Sequence, residues 1–222
     1  MPDLHVLRVF TSEDGSWGNP LGVVLDGAAV PAGERQRIAA DLGFSETVFV
    51  DDPFAGEVRI FTPAVELDFA GHPVVGTAWL IAREHGSVNV LRPPAGEVGA
   101  RVEGPEAFVT AEPEWGPPWE WEHLGTPADV DALGGPLDGH DLIAYWSWID
   151  EAAGVVRARV FPVRIGIPED EATGSAALRL CALIGREVEI RQGRGSLIRA
   201  RPGPGVTVEL GGRVELDEVR EL

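Results

Sequence analysis

Two apolar helices, each preceded by a glycine-containing turn, constrain the fold of this chain more than any other feature. The segment "GHPVVGTAWLIAREHG" is apolar from Val74 to Ala82 and ends at Gly86, and "TGSAALRLCALIG" ends at Gly185. Helices with so little polar surface are buried within a fold, and a glycine after the last turn is typical of a C-terminal cap. The sequence therefore predicts two interior helices that other elements must cover.

Most of the remaining chain is predicted to form short strands. β-Branched and aromatic runs bounded by Gly, Pro and Asp, such as "ETVFVDD" and "GEVRIFTP", are typical of hairpins. Further helices are expected over "PAGERQRIAADLG" and after Thr126, and four short strands are expected after the second apolar helix. Strands joined by hairpins, with few helices between them, favour antiparallel α+β architecture over a doubly wound parallel sheet.

The two apolar helices also look like copies of each other. When the Gly-Thr-Ala step at 76–78 is aligned with the Gly-Ser-Ala step at 174–176, His72 falls on Asp170, four residues before the glycine. A helix start presents free N–H groups and the positive end of the helix dipole, which together bind anions. Two such starts facing each other predict one anion pocket. The simpler alternative is that the glycines permit close packing and the hydroxyl residues only cap the helices.

The repeat predicts two lobes. Arg-x-Phe occurs before each helix, at 59–61 and 159–161, and a segment rich in Pro, Gly, Trp and acidic residues separates the two copies. We place the N-terminal lobe at 1–112 and the C-terminal lobe at 113–222, with strand exchange between them left open.

Composition excludes several classes of function. The net charge is −18 and all 18 basic residues are arginine, so the phosphate backbone of a nucleic acid is not an expected partner. Without lysine, pyridoxal enzymes, Schiff-base aldolases and P-loop proteins are excluded. A dinucleotide-binding GxGxxG is absent, and neither the histidine spacing nor the single Cys181 predicts a metal site. No apolar run is long enough to span a membrane, so a soluble, cytoplasmic protein is expected.

Four motifs resemble one known family. In this order, "GNPLGVV", "GFSETVFV", "RIFTPAVELDFAGHPVVGTA" and "EDEATGSAA" are similar to the PhzF-like isomerases of phenazine biosynthesis, relatives of diaminopimelate epimerase. The resemblance implies two pseudo-symmetric lobes, each an antiparallel, barrel-like sheet around a central helix, with the active site between them. It also implies a homodimer that closes on a carboxylate-bearing substrate. The second lobe is shorter than is usual in that family.

The resemblance assigns roles to individual positions. Glu46 of "SET" is the implied general acid/base, and His72 and Asp170 are its implied partners around the reacting carbons. A carboxyl group in a closed, water-poor cleft can have a pKa near neutrality and exchange a proton in both directions. The candidate substrate-binding residues, from the motifs and the helix openings, are Asn19, Gly71, Gly76, Thr77, Gly174 and Ser175.

The function predicted from these residues is a cofactor-independent isomerase that moves a proton on a small carboxylate-bearing metabolite. Two alternatives stay open: hydrolysis by Glu46 and Asp170, and ligand binding without catalysis. Cys181 is expected to be a packing residue, which excludes a two-thiol epimerase. Glu171, beside Asp170, either perturbs its pKa or repels an anionic substrate.

Five of the seven tryptophans lie between residues 115 and 148. The simplest interpretation is that alternate tryptophans pack against a sheet and the others cover the linker. Aromatic enrichment is also typical of interfaces, so the same region is our candidate for a dimer contact or a lid over the cleft.

Overall fold

The computed structural model describes residues 2–137 and 139–222, and this part of the chain forms four α-helices, three short 3₁₀ helices and a 14-stranded sheet. The helices are α1 (Ala32–Leu42), α2 (Gly71–His85), α3 (Pro127–Asp131) and α4 (Gly174–Ile184). The strands are β1 (Asp3–Thr11), β2 (Asn19–Val24), β3 (Thr47–Asp52), β4 (Glu57–Phe61), β5 (Glu66–Leu67), β6 (Val90–Leu91), β7 (Val98–Glu103), β8 (Glu106–Ala111), β9 (Glu120–His123), β10 (Ile143–Asp150), β11 (Val155–Phe161), β12 (Val188–Gln192), β13 (Ser196–Pro202) and β14 (Val208–Glu221).

The α+β class is confirmed, and the two halves repeat one order of elements. In the first half β2 pairs parallel to β3 across α1, β3 forms a hairpin with β4, and α2 follows. In the second half β9 pairs parallel to β10 across α3, β10 forms a hairpin with β11, and α4 follows. The two Arg-x-Phe segments lie at the ends of the corresponding strands β4 and β11.

Most strand pairs are antiparallel, but three are parallel: β2 with β3, β9 with β10, and β11 with β12. Each parallel pair is connected through a helix, because two parallel strands need a crossover too long for a hairpin. The strand β9 lies within the Trp-rich segment, where no strand was predicted. Its four residues are too few to show the alternation of polar and apolar side chains that is typical of a strand.

The last strand is longer than predicted and joins the two halves. Two strands were expected on either side of Gly211 and Gly212, and this was wrong: β14 is continuous. Residues 208–211 pair with β13 and 208–213 with β8, while residues 213–221 pair with β1. The glycines mark close approach rather than a turn, since a Cβ on Gly211 would collide with the Ala107 carbonyl and the Phe108 ring. The division of the chain at 112/113 stays a prediction.

Both predicted interior helices are buried, but α2 begins earlier than the aligned glycine step indicated. Residues 71–81 of α2 are all buried, and α4 begins at Gly174 as expected. The predicted opening of α2 at Gly76 is corrected to Gly71, because Pro73 is compatible with the first turn of a helix. Gly76 and Thr77 lie within the helix, and Thr77 is fully buried. Within the described residues, no helix combines the length and the apolar character of a membrane span.

We expect Gly76→Ala to destabilise the protein although alanine favours helix formation. A Cβ at Gly76 would lie 2.6 Å from Leu21 Cδ2 and 2.7 Å from Val9 Cγ2, and such overpacking costs about 1–3 kcal/mol. The matched control is Gly33→Ala in α1, where a Cβ meets nothing within 4 Å. Urea unfolding should show the control unchanged or more stable by up to about 1 kcal/mol. Equal stabilisation by both substitutions would contradict the placement of Gly76 against β1 and β2.

Candidate active site

The starts of α2 and α4 touch each other through two glycines. A Cβ on Gly71 would lie 2.6 Å from Gly174 Cα, and a Cβ on Gly174 would lie 2.8 Å from Gly71 Cα. These separations leave no room for any side chain, so glycine at both positions is what lets the two backbones meet. The predicted facing helix starts are present, with Gly71 in the place that the alignment gave to Gly76.

Neither helix start is capped by a side chain. Ala70, the residue before α2, has no side chain that can cap, and Thr173, the residue before α4, makes no capping hydrogen bond. First-turn N–H groups have no partner within their own helix, and both helices are long enough to carry a dipole with its positive end here. Buried donors without acceptors and a positive local potential suit a carboxylate or phosphate group.

Glu46 and His72 lie together beside these helix starts. Glu46 immediately precedes β3, and its carbonyl accepts a hydrogen bond from Gly22 of the parallel strand β2. His72 is the second residue of α2. The Glu46 Oε2 and His72 Nε2 atoms are 3.4 Å apart, and the two side chains are 14% and 5% exposed. Both atoms are buried without a hydrogen-bond partner among the described residues, so they are available to a bound molecule.

Asp170 is held firmly on both of its carboxylate oxygens. The Asn19 amide, from the start of β2, donates to Asp170 Oδ1 at 2.8 Å and to the Ala172 carbonyl at 2.9 Å. The Thr173 hydroxyl donates to Asp170 Oδ2 at 2.6 Å. Both amide protons of Asn19 are therefore donated within the protein, and one of these hydrogen bonds positions Asp170. Only the side-chain carbonyl oxygen of Asn19 is left for the substrate contact that was predicted.

Burial shifts the pKa of each of the three groups in the direction that favours the uncharged form of the side chain. Desolvation raises the pKa of Glu46 to about 7. Desolvation also raises the pKa of Asp170 to about 6, with nearby His72 acting in the opposite direction and Glu46 in the same direction. The pKa of His72 falls to about 4 because burial disfavours the imidazolium. At neutral pH the site therefore holds a neutral imidazole between two carboxyl groups, one of them close to half-protonated.

The tryptophan-rich segment lies against both helix starts. Trp119 is buried and its Nε1 donates to Ser175 Oγ at 3.1 Å, so the Ser175 hydroxyl proton stays available to a ligand. Trp115 packs edge-to-face on Phe69, two residues before α2. The lid or dimer contact expected of this segment stays a prediction. The sequence signal for Trp119 was only its membership of an aromatic cluster.

Two further residues, Glu171 and Cys181, make contacts that favour a structural role over a catalytic one. The Glu171 carboxylate accepts hydrogen bonds from the Arg194 backbone and from Ser196 Oγ, so it holds the turn between β12 and β13. Cys181 is fully buried in α4, and burial raises the pKa of its thiol to about 12. A thiol with that pKa is not a base at neutral pH. Among the described residues, no three His, Cys, Asp or Glu side chains are arranged to hold a metal ion.

Sequence comparison finds relatives across most of the chain. Residues 7–118 match the family model described as phenazine biosynthesis-like protein. The trans-2,3-dihydro-3-hydroxyanthranilate isomerase of Pseudomonas fluorescens is 30% identical over 216 residues, which cover 80% of this chain and 78% of that protein.

Structural comparison finds the same fold in two groups of proteins. A putative phenazine biosynthesis PhzC/PhzF protein from Clostridium difficile matches with a TM-score of 0.82 at 19% identity, covering 100% of this chain and 99% of that one. A probable proline racemase from Agrobacterium radiobacter matches with a TM-score of 0.63 at 10% identity, covering 100% of this chain and 93% of that one. At these identities the structural matches show the fold alone.

We expect Glu46→Gln to stabilise the protein above neutral pH. The pKa of Glu46 is about 7 when folded against 4.5 as a free side chain, so the unfolded chain releases this proton first. Stability therefore falls as the pH rises from about 4.5 to 7. At pH 8, denaturant unfolding should give the variant a free energy of unfolding about 1–3 kcal/mol higher than that of the wild type. At pH 4 the two proteins should be equally stable.

The control for this measurement is Glu57→Gln, at an exposed position in β4. It should change stability by less than about 0.5 kcal/mol at both pH values. A Glu46→Gln gap that is the same at pH 4 and pH 8 would show that the Glu46 carboxylate is not desolvated.

Proposed function

This chain belongs to the phenazine biosynthesis-like protein family and is an isomerase, and from this premise we propose that it moves a proton between carbon atoms of a small carboxylate-bearing metabolite, with Glu46 as the general acid/base and no added cofactor. The observation that carries the proposal is the pair of buried, unpartnered atoms, Glu46 Oε2 and His72 Nε2. Burying two polar atoms without hydrogen-bond partners is unfavourable unless a ligand forms hydrogen bonds with them.

The proposed reaction needs only one carboxyl group to carry the proton. As a carboxylate, Glu46 removes a proton from one carbon, and the electron pair of the broken C–H bond enters the adjacent π system. As a carboxylic acid, Glu46 returns a proton to a second carbon, and the substrate keeps its composition. A pKa of about 7 populates both forms of Glu46 at neutral pH, as a group that works in both directions requires.

His72 complements this carboxyl group as a neutral partner. A pKa of about 4 keeps the His72 imidazole uncharged at neutral pH. Its backbone hydrogen bond is with Pro20, which has no N–H and can only accept, so one ring nitrogen carries the proton. The unpartnered Nε2 is then free to contact a polar atom of the substrate without adding charge to it.

The substrate carboxylate would bind at the two helix starts. Five backbone N–H groups without side-chain caps, those of Gly71, His72, Gly174, Ser175 and Ala176, converge there. A local site of this kind offsets the repulsion between an anionic substrate and a chain of net charge −18. The name of the Pseudomonas relative leads us to propose trans-2,3-dihydro-3-hydroxyanthranilate, or a ring carboxylate like it, as the substrate.

The hydrogen bonding of Asp170 supports isomerisation over hydrolysis. A hydrolytic base must take a proton from water, and the hydrogen bonds that Asp170 accepts from Asn19 and Thr173 lower its pKa and so make it a weaker base. We propose that Asp170 is a fixed charge that orients the substrate and His72. A ligand-binding protein without catalysis has no use for a carboxyl group poised near neutrality, which favours the enzyme over that alternative.

We expect Glu46→Gln to lower turnover of trans-2,3-dihydro-3-hydroxyanthranilate by about 10²–10⁴-fold, since a positioned acid/base contributes about that factor. The assay is NMR in deuterated water, which follows product formation and the entry of solvent deuterium at carbon. Glu57→Gln is the matched control and should turn over at the wild-type rate. Full activity of Glu46→Gln would remove Glu46 from the mechanism, and saturable binding with no exchange by the wild type would favour the binding protein.

A further inference from the structure

Thr173, the residue before α4, does not cap that helix, although threonine is a favoured capping residue. Threonine before a helix normally accepts a hydrogen bond from the second or third N–H of that helix. Thr126 does this for α3, accepting from the Asp129 N–H. Thr173 occupies the same position before α4 and makes no such bond. Another side chain must therefore hold the Thr173 hydroxyl away from the start of α4.

Gln192, the last residue of β12, is that restraint. It is 1% exposed, and its Nε2 donates to Thr173 Oγ1 and to the Asp170 carbonyl, each at 2.9 Å. Its Oε1 accepts from the Thr173 N–H at 3.2 Å. These contacts fix the orientation of the amide, because a backbone N–H can only donate and a carbonyl can only accept.

The direction of the next hydrogen bond follows from this one. Thr173 Oγ1 accepts from Gln192, and its single proton is then directed to Asp170 Oδ2 at 2.6 Å. A short bond from a hydroxyl to a carboxylate is charge-assisted and stronger than a neutral one. Gln192 thus acts on Asp170 through Thr173 although it does not contact the Asp170 carboxylate itself.

We propose that Gln192 is a positioning residue for the reaction: it holds the Thr173 hydroxyl on Asp170 and away from the start of α4, so that the α4 N–H groups remain free for the substrate carboxylate. This inference rests on the proposed function. It predicts two separable effects when Gln192 is lost. The hydroxyl can rotate to cap α4 and compete with the substrate, and Asp170 loses the donor on one of its oxygens.

Asp170 is surrounded by few charged groups, which makes the second effect measurable. His72 of α2 and Glu46 before β3 face it, and the donors Asn19 and Thr173 both hold its pKa down. The two acids next to it in sequence are turned to other partners, Glu169 to Arg159 and Glu171 to Arg194 and Ser196. Loss of the Thr173 donor should therefore shift the Asp170 midpoint upward.

The experiment compares Gln192→Leu, Thr173→Val and the double variant in the deuterium-exchange assay, with kinetics from pH 4.5 to 9. We expect Gln192→Leu to raise KM about 10-fold, equivalent to about 1.4 kcal/mol of lost substrate binding. Thr173→Val removes the competing hydroxyl, so the double variant should have a KM within about 3-fold of Thr173→Val alone. Both single variants should move the Asp170 midpoint in the kcat/KM profile upward by about 0.5–1 pH unit.

Three controls separate positioning from general damage. Gln36→Leu, which removes a hydrogen bond from α1 to the Thr62 carbonyl, should leave KM and the profile at wild-type values. Thr173→Ser keeps the hydroxyl and should retain the wild-type midpoint. Asp170→Asn should abolish the midpoint and so identify it. If Gln192→Leu does not fold, the contrast between Thr173→Val and Thr173→Ser still tests the Asp170 half of the proposal.

A binding measurement keeps this inference distinct from the proposed function. Calorimetry with anthranilate, an unreactive ring carboxylate, should show weaker binding to Gln192→Leu and recovery in the double variant. An unchanged KM and anthranilate affinity in Gln192→Leu, or a double variant whose defects simply add, would overturn the proposal. If the wild type binds anthranilate but shows no isomerisation, the proposed function fails while the binding comparison still decides the role of Gln192.

Discussion

The contact between Gly71 and Gly174 is the constraint on which the rest of the structure depends. It places two helix starts, both without side-chain caps, at one buried point. Two positive dipole ends lie close together there, and first-turn N–H groups have no partner within their own helix, so an anion at this point would be stabilised by both helices. The packing of the two halves and the proposed site for a substrate carboxylate therefore depend on the same contact. A single added methyl group at either glycine would disturb both.

The acidic groups around this point are arranged by how tightly each is hydrogen-bonded. Asp170, with donors on both oxygens, has a pKa of about 6, while Glu46, with Oε2 unpartnered, has a pKa of about 7. Burial is the largest cause of the upward shift in both groups, and most of the difference between the two pKa values is the difference between the free side chains, 3.8 for Asp and 4.5 for Glu. The less restrained carboxyl group is the one suited to carry a proton, and the restrained one is suited to hold a position.

The sequence predicted the elements of this fold well because their signals are local. The apolar run of α2, its glycine C-cap and the paired Arg-x-Phe strands need no knowledge of distant residues. The start of α2 at Gly71 was missed because the Gly-Thr-Ala step resembled the second helix more closely. The length of β14 was missed because its two glycines serve contacts with β8 that only the folded sheet reveals.

The site shows the same division between local and distant information. Glu46, His72 and Asp170 were predicted from motifs, and the structure brings all three together. Gln192, 22 residues beyond Asp170, has no local signal, since a buried glutamine in a strand has the same sequence signature as an exposed one. Its function depends on the β11–β12 pairing, which carries it to the start of α4. Asn19 and Thr173, which donate to the Asp170 carboxylate, lie in the motifs and were within reach of sequence reasoning, whereas Gln192 reaches the site only through this long-range pairing.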